Sequence, residues 1–378
     1  MSISREAEIL LCCSRTRLTP DLSRRIGALL RYDLDWKFIV EQAIAHGVAP
    51  LLYFHLSQQA IPGGARESLR AKSMEETRWN LFIASELRRV MAAFQEHSIA
   101  AVPFKGVSLA SSVYGDLALR EGGDLDILLR REQAQEAQQL LIGLGYRPEY
   151  HLTASQTEAY LRYHYAFVLT HPEHGAVVEL HWGIAPRHFC VDLDTEGVLN
   201  RLRTSPLEGG FIPGMCTEDL LLVLCVHGGR HCWERLIWLA DVAELLACQP
   251  QLDWPSVLRH AEELGVRRLL LLGLRMASEF LNAPLPEELQ RRAAREPGVA
   301  RASVEWLALF QRPATEQGLL ARMPFQLRCR ERLSDRLRYT FRLLTTTTVE
   351  DWRLVSLPES LAFLYLFLRL PRLLRKYT

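Results

Sequence analysis

The sequence predicts an α+β fold, in which a small mixed sheet lies between an N-terminal and a C-terminal helical region. Apolar residues recur at helical spacing through residues 1 to about 97 and again from Thr217 onward. Between these regions, short apolar runs of strand length alternate with helical stretches and end in a hairpin pattern. We therefore predict three domains, at residues 1–97, 98–207 and 208–378.

Composition restricts the class of protein. The chain has 378 residues, of which 48% are hydrophobic and 24% charged, so it can bury a sizeable core. Its 45 basic and 44 acidic residues give a formal net charge of +1. This balance gives no general attraction to polyanions and argues against long nucleic acid as a partner.

The eight cysteines show no C-x-x-C spacing, which argues against a zinc ribbon or a redox motif. The N-terminal stretch MSISREAEILLCC lacks the basic and long apolar regions of a secretory signal. We therefore predict reduced, buried thiols in a cytoplasmic protein.

Helix signals dominate the first region. DWKFIVEQAIAHG begins with Asp35 as a candidate cap and ends at Gly47. Pro50 can start the next helix, and a long helix then runs toward His97.

The central region alternates between strand and helix. We predict a strand at Ile99 to Phe104, then a turn and a short helix ending at Gly115. DLDILL is a second strand, and REQAQEAQQLLIGLG is a helix that ends at Gly145. In YAFVLTHPEHGAVVELHW, two apolar runs flank HPEHG, which predicts a hairpin. SPLEGGFIPGMC is interpreted as a connection.

The last region is helical again, with Thr217 as a candidate cap. Seven arginines lie between Arg322 and Arg342, but Glu331 and Asp335 are interspersed, so a solvated helix face is expected. The uninterrupted apolar run Leu361 to Leu368 is too short to span a bilayer. We predict a packed terminal helix; the alternative is peripheral membrane contact through its basic end.

Two aspartates one residue apart, Asp124 and Asp126, lie in the apolar stretch EGGDLDILL. In a strand they project to the same face, where they repel unless a cation lies between them. Mg²⁺ suits such oxygen ligands, and Mn²⁺ can replace it. On the later strand VVELHW, Glu179 and His181 share a face, so Glu179 joins the same metal site if the two strands are neighbours. The alternative is a solvated acidic edge.

Residues suited to phosphate binding precede these acids. PFKGVSLA leads from a strand through Lys105 and Gly106 into a helix, where glycine allows close backbone approach and Ser108 adds a hydroxyl. Arg120 is a further candidate for phosphate contact. A plain strand-to-helix turn and a surface arginine are the alternatives.

The helical half offers candidate substrate contacts. His227 and His231 have i, i+4 spacing, as in zinc sites, but Gly228 and Gly229 weaken the helix and no third ligand is evident. A structural or substrate-facing pair is preferred. His181 can hydrogen-bond a carboxylate or a substrate. Asp241 can orient His227 or the acceptor, and a buried pair with Arg235 or Arg230 is the alternative.

These motifs resemble a known family. FKGVSLASSVYGDLALREGGDLDILL, then VVELHW, then HGGRHCWERLIWLADVAELL, resembles the uncharacterised bacterial nucleotidyltransferases of the polymerase-beta-type superfamily. The resemblance implies a nucleotidyltransferase core with Asp124, Asp126 and Glu179 as metal ligands. It also implies that Lys105, Gly106 and Ser108 occupy the place of the usual Gly-Ser nucleotide loop, from whose common pattern this chain departs.

We therefore expect magnesium-dependent transfer of a nucleotidyl group from an NTP such as ATP to a hydroxyl or phosphate of an acceptor. One metal would bind the nucleotide's phosphates, a second would lower the pKa of the attacking hydroxyl, and Glu179 or Asp126 would receive its proton. The acceptor could be a small molecule, a peptide or a protein. Two alternatives stay open: a nucleotide-sugar-dependent glycosyltransferase at the same D-x-D site, and a non-catalytic nucleotide-binding regulator.

Overall fold

A five-stranded mixed sheet lies at the centre of the chain in the computed structural model, which describes residues 3–312, 319–346 and 349. The strands are β1 (Ala101–Pro103), β2 (Leu125–Leu129), β3 (Arg147–Pro148), β4 (Ala166–Thr170) and β5 (Val177–His181). Their order is β1-β2-β5-β4-β3, in which β2 and β5 are parallel and the other neighbours antiparallel. The predicted fold class is confirmed.

Helices surround this sheet. Before it lie α1 (Arg5–Cys13), α2 (Pro20–Leu29), α3 (Trp36–Ala45), α4 (Ala49–Leu56) and α5 (Gly63–Glu96). Within the sheet region lie α6 (Val107–Leu109), α7 (Ala134–Gly143), α8 (Ala154–Tyr163) and α9 (Thr195–Asn200). After it come α10 (Thr217–Arg230), α11 (Leu236–Cys248), α12 (Trp254–Glu263), α13 (Arg267–Leu281), α14 (Glu287–Arg295), α15 (Pro297–Phe310), α16 (Leu319–Arg328) and α17 (Leu333–Thr345).

The predicted local signals have the expected physical basis. The Asp35 carboxylate caps α3 by accepting from the Phe38 N–H at 2.9 Å. Pro50 lies in the first turn of α4, where its missing N–H costs no helical hydrogen bond. Antiparallel β4 and β5 form the predicted hairpin, and Gly175 takes φ +73° in its turn.

Four sequence interpretations need correction. Asp124 precedes β2 and is not part of the strand, because β2 begins at Leu125. The stretch interpreted as a connection forms a two-stranded ribbon of β6 (Arg203–Leu207) and β7 (Gly210–Gly214). Cys216 occupies the N-cap of α10, and Thr217 is its first helical residue. Helix α8 was not predicted; its Thr153–Gln156 capping box marks its start.

The sheet separates two hydrophobic clusters. On β2, Leu125, Ile127 and Leu129 pack into one cluster with the second half of α5 and with α7. Leu128 faces the other cluster, which joins the N-terminal helices to α10, α11 and α13. The two helical regions therefore share one core. The predicted boundary at 207–208 falls in the turn of the β6–β7 ribbon, and the division into three domains stays a prediction.

Three further expectations concerned the cysteines, membrane-spanning segments and the C-terminal helix. All eight cysteines are free thiols; most are buried, Cys190 is half-buried and Cys248 is exposed. Within residues 3–312, 319–346 and 349, no helix combines the length and apolarity that crossing a bilayer requires. The predicted terminal helix with its basic end lies outside the described residues.

Candidate active site

Parallel pairing of β2 with β5 brings the predicted acids together. Asp126 and Glu179 are register partners on the two strands, so their side chains project to the same face. This face is the one that Leu128 shares, toward the helices of the larger cluster. The convergence that the sequence made conditional on strand adjacency is therefore present.

His181 lies between the two carboxylates. Its Nε2 is 3.1 Å from Asp126 Oδ1 and 3.1 Å from Glu179 Oε2. The imidazole is buried; burial alone would lower its pKa, but the two carboxylates raise it above its ordinary value. With its proton on Nε2, His181 donates to the acids and holds them in place.

Lys105 supplies the second positive charge. Its ammonium lies 2.7 Å from Asp126 Oδ1 and 3.5 Å from His227 Nδ1. Burial of Asp126 opposes ionisation, but the charges of Lys105 and His181 and their hydrogen bonds hold the pKa of its carboxyl well below the usual range. Burial likewise opposes ionisation of Glu179, and His181 lowers its pKa. Both acids are therefore carboxylates at neutral pH.

Asp124 behaves differently from these two acids. It is solvent-accessible and lies one residue before β2. Partial burial of its carboxyl, together with the negative charges of Glu179 and Asp126, raises its pKa to about 6. Asp124 therefore lies close enough to Asp126 and Glu179 for their charges to raise its pKa. Of these three acids, it is the one whose pKa is nearest to neutral pH.

The donor set fits a divalent cation. One ligand atom each from Asp126, Glu179 and His181 lie within 4.8 Å of one another, and no other such group occurs in the part of the chain that the structure describes. Carboxylate oxygens suit Mg²⁺ or Mn²⁺, and imidazole suits Mn²⁺ better than Mg²⁺. Asp126 and Glu179 form the oxygen-rich side of this group, and His181 serves either as a nitrogen ligand or as the group that orients them. Asp124 is not part of the group, and its role as a metal ligand stays a prediction.

The turn between β1 and α6 shapes the site beside Lys105. Gly106 takes φ +59°, and a Cβ there would lie 3.1 Å from the Asp124 carbonyl oxygen, so a side chain would be strained and crowded. The Ser108 hydroxyl is buried and donates to the Lys105 carbonyl at 2.9 Å. Ser108 therefore stabilises the turn that positions Lys105.

Arg120 and Asp241 form a buried ion pair. Arg120 donates from Nε to Asp241 Oδ1 at 2.7 Å and from Nη2 to Oδ2 at 2.8 Å, and the Tyr114 hydroxyl donates to Oδ1 at 2.8 Å. Arg120 Nη1 also donates to the carbonyls of Glu121, at 2.9 Å, and Gly106, at 3.3 Å. The guanidinium thus ties together the two turns that flank the acids.

This ion pair decides between the alternatives that the sequence left open for both residues. The alternative that Arg120 is a surface arginine is wrong, because its side chain is buried. Asp241 does pair with an arginine, but Arg235 instead binds Glu121, and Arg230 donates to Tyr165 and His231. The predicted contacts of Arg120 with phosphate and of Asp241 with substrate stay predictions; the geometry gives both residues a positioning role.

Helices α10 and α11 form the opposite wall. The ring of His227 lies 4.9 Å from that of His231 and 5.2 Å from that of Trp238. Burial and the charge of Lys105 lower the pKa of His227, so its imidazole is neutral and can accept from Lys105. Among the described residues, no third ligand lies close enough to complete a zinc site with these histidines.

Several site residues were not singled out from the sequence. Tyr114 lies within the quoted stretch FKGVSLASSVYG but was given no role, and its hydroxyl donates to Asp241. Asn80 donates from Nδ2 to the carbonyls of Leu117 and Arg120 and so holds the loop before the acids, but an asparagine within a long helix gives no such signal. Tyr165, whose ring lies 5.7 Å from that of His181, had no signal either.

Comparison with known proteins gives one family match. The model of a family described as "Uncharacterised nucleotidyltransferase" matches residues 32–282, about two-thirds of the chain. No curated protein matches the sequence significantly. Among solved structures, the antibiotic-resistance factor ANT(2'')-Ia aligns with 14% identity over 60% of this chain and 96% of its own, at a TM-score of 0.29. A likeness this weak supports no statement about activity or individual residues.

Proposed function

The chain belongs to the family of uncharacterised nucleotidyltransferases, and from this premise we propose that the enzyme uses Mg²⁺ or Mn²⁺ to transfer a nucleotidyl group from an NTP. The receiving group is a hydroxyl or phosphate of an acceptor molecule. The single observation that supports this most strongly is the register pairing of Asp126 with Glu179, with His181 between them and Asp124 beside them.

In this proposal Asp124, Asp126 and Glu179 are the catalytic metal ligands. A divalent cation bound there would neutralise the phosphate charge of the donor and lower the pKa of the attacking hydroxyl. Because the pKa values of Asp126 and Glu179 are low, these carboxylates hold cations more readily than protons. Either Glu179 or Asp126 receives the proton of the attacking hydroxyl.

In this proposal, the turn before α6 binds the phosphates of the NTP. The Lys105 ammonium lies beside the acids, where an NTP bridged to the metal would place its phosphates. Gly106 leaves room for close approach of the backbone, and Ser108 keeps the turn in shape. Arg120 and Asp241 act through these turns as positioning residues, while His181 and His227 face the substrate from the two walls.

The decisive test follows a labelled phosphate. Purified enzyme is incubated with α-labelled and, separately, γ-labelled NTPs, Mg²⁺ or Mn²⁺, and a panel of acceptors, and the products are identified by mass. We expect label from the α position on product with release of pyrophosphate, and no transfer in the presence of a chelator. Transfer of a sugar from a nucleotide sugar, with no transfer from any NTP, would contradict the proposal.

Variants connect this activity to the site. Asp126→Asn and Glu179→Gln should each lower turnover by roughly a hundredfold or more, because each removes a charged ligand at the reacting phosphate. Glu173→Gln is the matched control, since Glu173 is an exposed acid in the turn of the same hairpin. Equal activity of all three variants would refute the assignment of the acids.

Two subsidiary proposals concern location and partners. The eight free thiols support a cytoplasmic protein. The near-neutral charge supports a small molecule, peptide or protein as acceptor over long nucleic acid.

A further inference from the structure

A cleft lined by arginines opens beside the acid cluster. It has a volume of about 440 Å³ and is bounded by α8, α17, the end of β5 and two short 3₁₀ turns, Arg131–Gln133 and Arg187–Phe189. Its charged lining residues are Arg131, Arg162, Arg187, Arg338, Arg342 and Asp192. Five cations facing one acid is unusual in a chain whose net charge is +1.

The positive charge of the cleft is largely uncompensated. Among the side chains that the structure describes, Arg162 alone of the five has a carboxylate in ion-pair range, and that partner, Glu158 at 3.5 Å, is exposed. Neighbouring arginines differ: Arg130, next to Arg131, makes a bidentate pair with Glu196. The cleft therefore retains donors that can bind an anion.

Protein contacts hold two of the five arginines, Arg187 and Arg342, in position without neutralising them. Arg187 donates to the Arg162 carbonyl at 3.3 Å, and its guanidinium lies 5.2 Å from the Tyr163 ring centre. Arg342 donates to the Arg187 carbonyl at 3.3 Å. Helix α17 is fixed against this region because Arg330 donates to the Phe189 carbonyl at 2.7 Å and lies over the Phe189 and Tyr339 rings. The cleft is thus built from elements packed against one another.

The cleft shares a wall with the active site. Trp182 and Gly183 line it and directly follow His181 on the chain. Tyr165 lines it too, and its ring lies 5.7 Å from the His181 ring. Trp182 follows the end of β5 and packs on the opposite face of the sheet from Glu179 and His181, so Tyr165 is the lining residue that lies next to the acid cluster. The backbone of Trp182 is roughly 10 Å from that of Glu179, so a ligand that occupies both places would pass along Tyr165.

We propose that this arginine cleft binds a phosphate or diphosphate group of the acceptor, whose reacting group then extends to the acids. The inference rests on the proposed function and names the class of acceptor. Guanidinium groups match phosphate oxygens in bidentate fashion, and five of them suit a multiply charged anion. A concave cavity of this volume fits a small molecule, whereas a membrane surface or a duplex requires a broad open face. Tyr165 and Trp182 provide aromatic surface for the uncharged part of the acceptor.

Anion binding can be measured without turnover. Inorganic pyrophosphate is titrated calorimetrically into the full chain, with the metal removed by a chelator, for the wild type and for Arg162→Gln/Arg338→Gln. The same titration on Asp126→Asn separates this cleft from the donor site. We expect pyrophosphate binding that persists in Asp126→Asn and weakens at least tenfold in the double arginine variant.

The control removes the same charge elsewhere. Arg24→Gln/Arg291→Gln changes two exposed arginines on α2 and α14 and should leave the affinity unchanged. If the double cleft variant does not fold by circular dichroism, Arg131→Gln, which changes an exposed residue of a short turn, replaces it. Absence of pyrophosphate binding, equal weakening by the control pair, or arginine-dependent binding to phosphatidylglycerol vesicles that pyrophosphate does not displace would overturn the proposal.

A second arm uses transfer. The enzyme is incubated with an α-labelled NTP and one of several acceptors. These are hexose 1-phosphates, nucleoside 5′-monophosphates and the unphosphorylated parent of each. We expect transfer only to phosphorylated acceptors, and a raised KM for the acceptor but not for the NTP in Arg162→Gln/Arg338→Gln. Efficient transfer to unphosphorylated acceptors would refute the acceptor class while leaving the proposed function standing.

Discussion

Neutralising Asp241 should destabilise the protein and disturb the active site together. Its carboxylate accepts two hydrogen bonds from Arg120 and one from Tyr114, and only 7% of the Arg120 side chain and 2% of the Asp241 side chain are exposed. Asp241→Asn leaves the buried Arg120 cation without its hydrogen-bonded carboxylate. Breaking one partner of a buried pair costs about 3–5 kcal/mol. We expect the free energy of unfolding to fall by this amount.

The protein contains a matched pair for comparison. Arg130 and Glu196 make the same two-point contact, with Nε–Oε2 at 2.6 Å and Nη2–Oε1 at 2.9 Å, but their side chains are 34% and 56% exposed. Exposed pairs contribute about 0–1 kcal/mol, so Glu196→Gln should have little effect. A cost below about 1 kcal/mol for Asp241→Asn, like that of the exposed pair, would refute the reasoning.

Guanidinium chloride unfolding, followed by both tryptophan fluorescence and circular dichroism, measures these costs; coincident transitions justify a two-state analysis. The double variant Arg120→Met/Asp241→Leu should recover much of the loss, because apolar replacement of a whole buried pair removes the unpaired charge. It should not recover activity, since Arg120 also holds the carbonyls of Gly106 and Glu121. Recovered activity in the double variant would exclude a positioning role for Arg120.

Three further outcomes are expected. Lys105→Met should raise the KM for the NTP about 10- to 100-fold in steady-state kinetics, which is the effect of losing one hydrogen bond to a charged group. Lys105→Arg should restore part of the lost affinity for the NTP. An unchanged KM would contradict the phosphate contact. Because Asp124 has a pKa of about 6, Mn²⁺ affinity measured by electron paramagnetic resonance should fall about tenfold per pH unit below 6, and Asp124→Asn should abolish this slope. Burial and the nearby Arg235 lower the pKa of His46 to about 4 from the ordinary 6.5, so stability is fully present above pH 6.5 and is lost as pH falls toward 4. His46→Asn, which keeps an acceptor for the Leu236 N–H, should flatten that slope in denaturant titrations from pH 4 to 7.

Strand periodicity predicted which acids share a face, because the direction of a side chain along a strand depends only on local backbone geometry. A two-residue period places Asp126 on one face of β2, and the same period places Glu179 and His181 on one face of β5. The pairing of these strands was a condition that periodicity does not settle, since β5 follows β2 by some fifty residues. The right-handed preference for parallel crossovers makes the pairing reasonable but does not select β5 over other strands.

Local sequence patterns could not predict which residues distant in the chain pair with one another. The sequence offered Arg230 and Arg235 to Asp241 because they are near in the chain, but Arg120, 121 positions away, is the partner. The choice depends on how α11 packs against the turn before β2, and one sequence carries no record of that packing. The arginine cleft was missed for the same reason. Arg338 and Arg342 appear as a solvated helix face until α8 and the turn at Arg187 are placed opposite them.

The charges around the acids explain how the site folds before any substrate arrives. Asp126 and Glu179 are both ionised on one face of a sheet, an arrangement that repulsion would disfavour. Lys105 supplies a compensating positive charge, His181 lies within hydrogen-bond distance of both carboxylates, and Asp124 relieves the remaining repulsion by taking up a proton near pH 6. The same arrangement suits cation binding, because deprotonation of Asp124 restores a negative site that Lys105 does not fully neutralise. The acids are thus arranged for binding by the fold itself, and below about pH 6 a cation must displace the proton on Asp124.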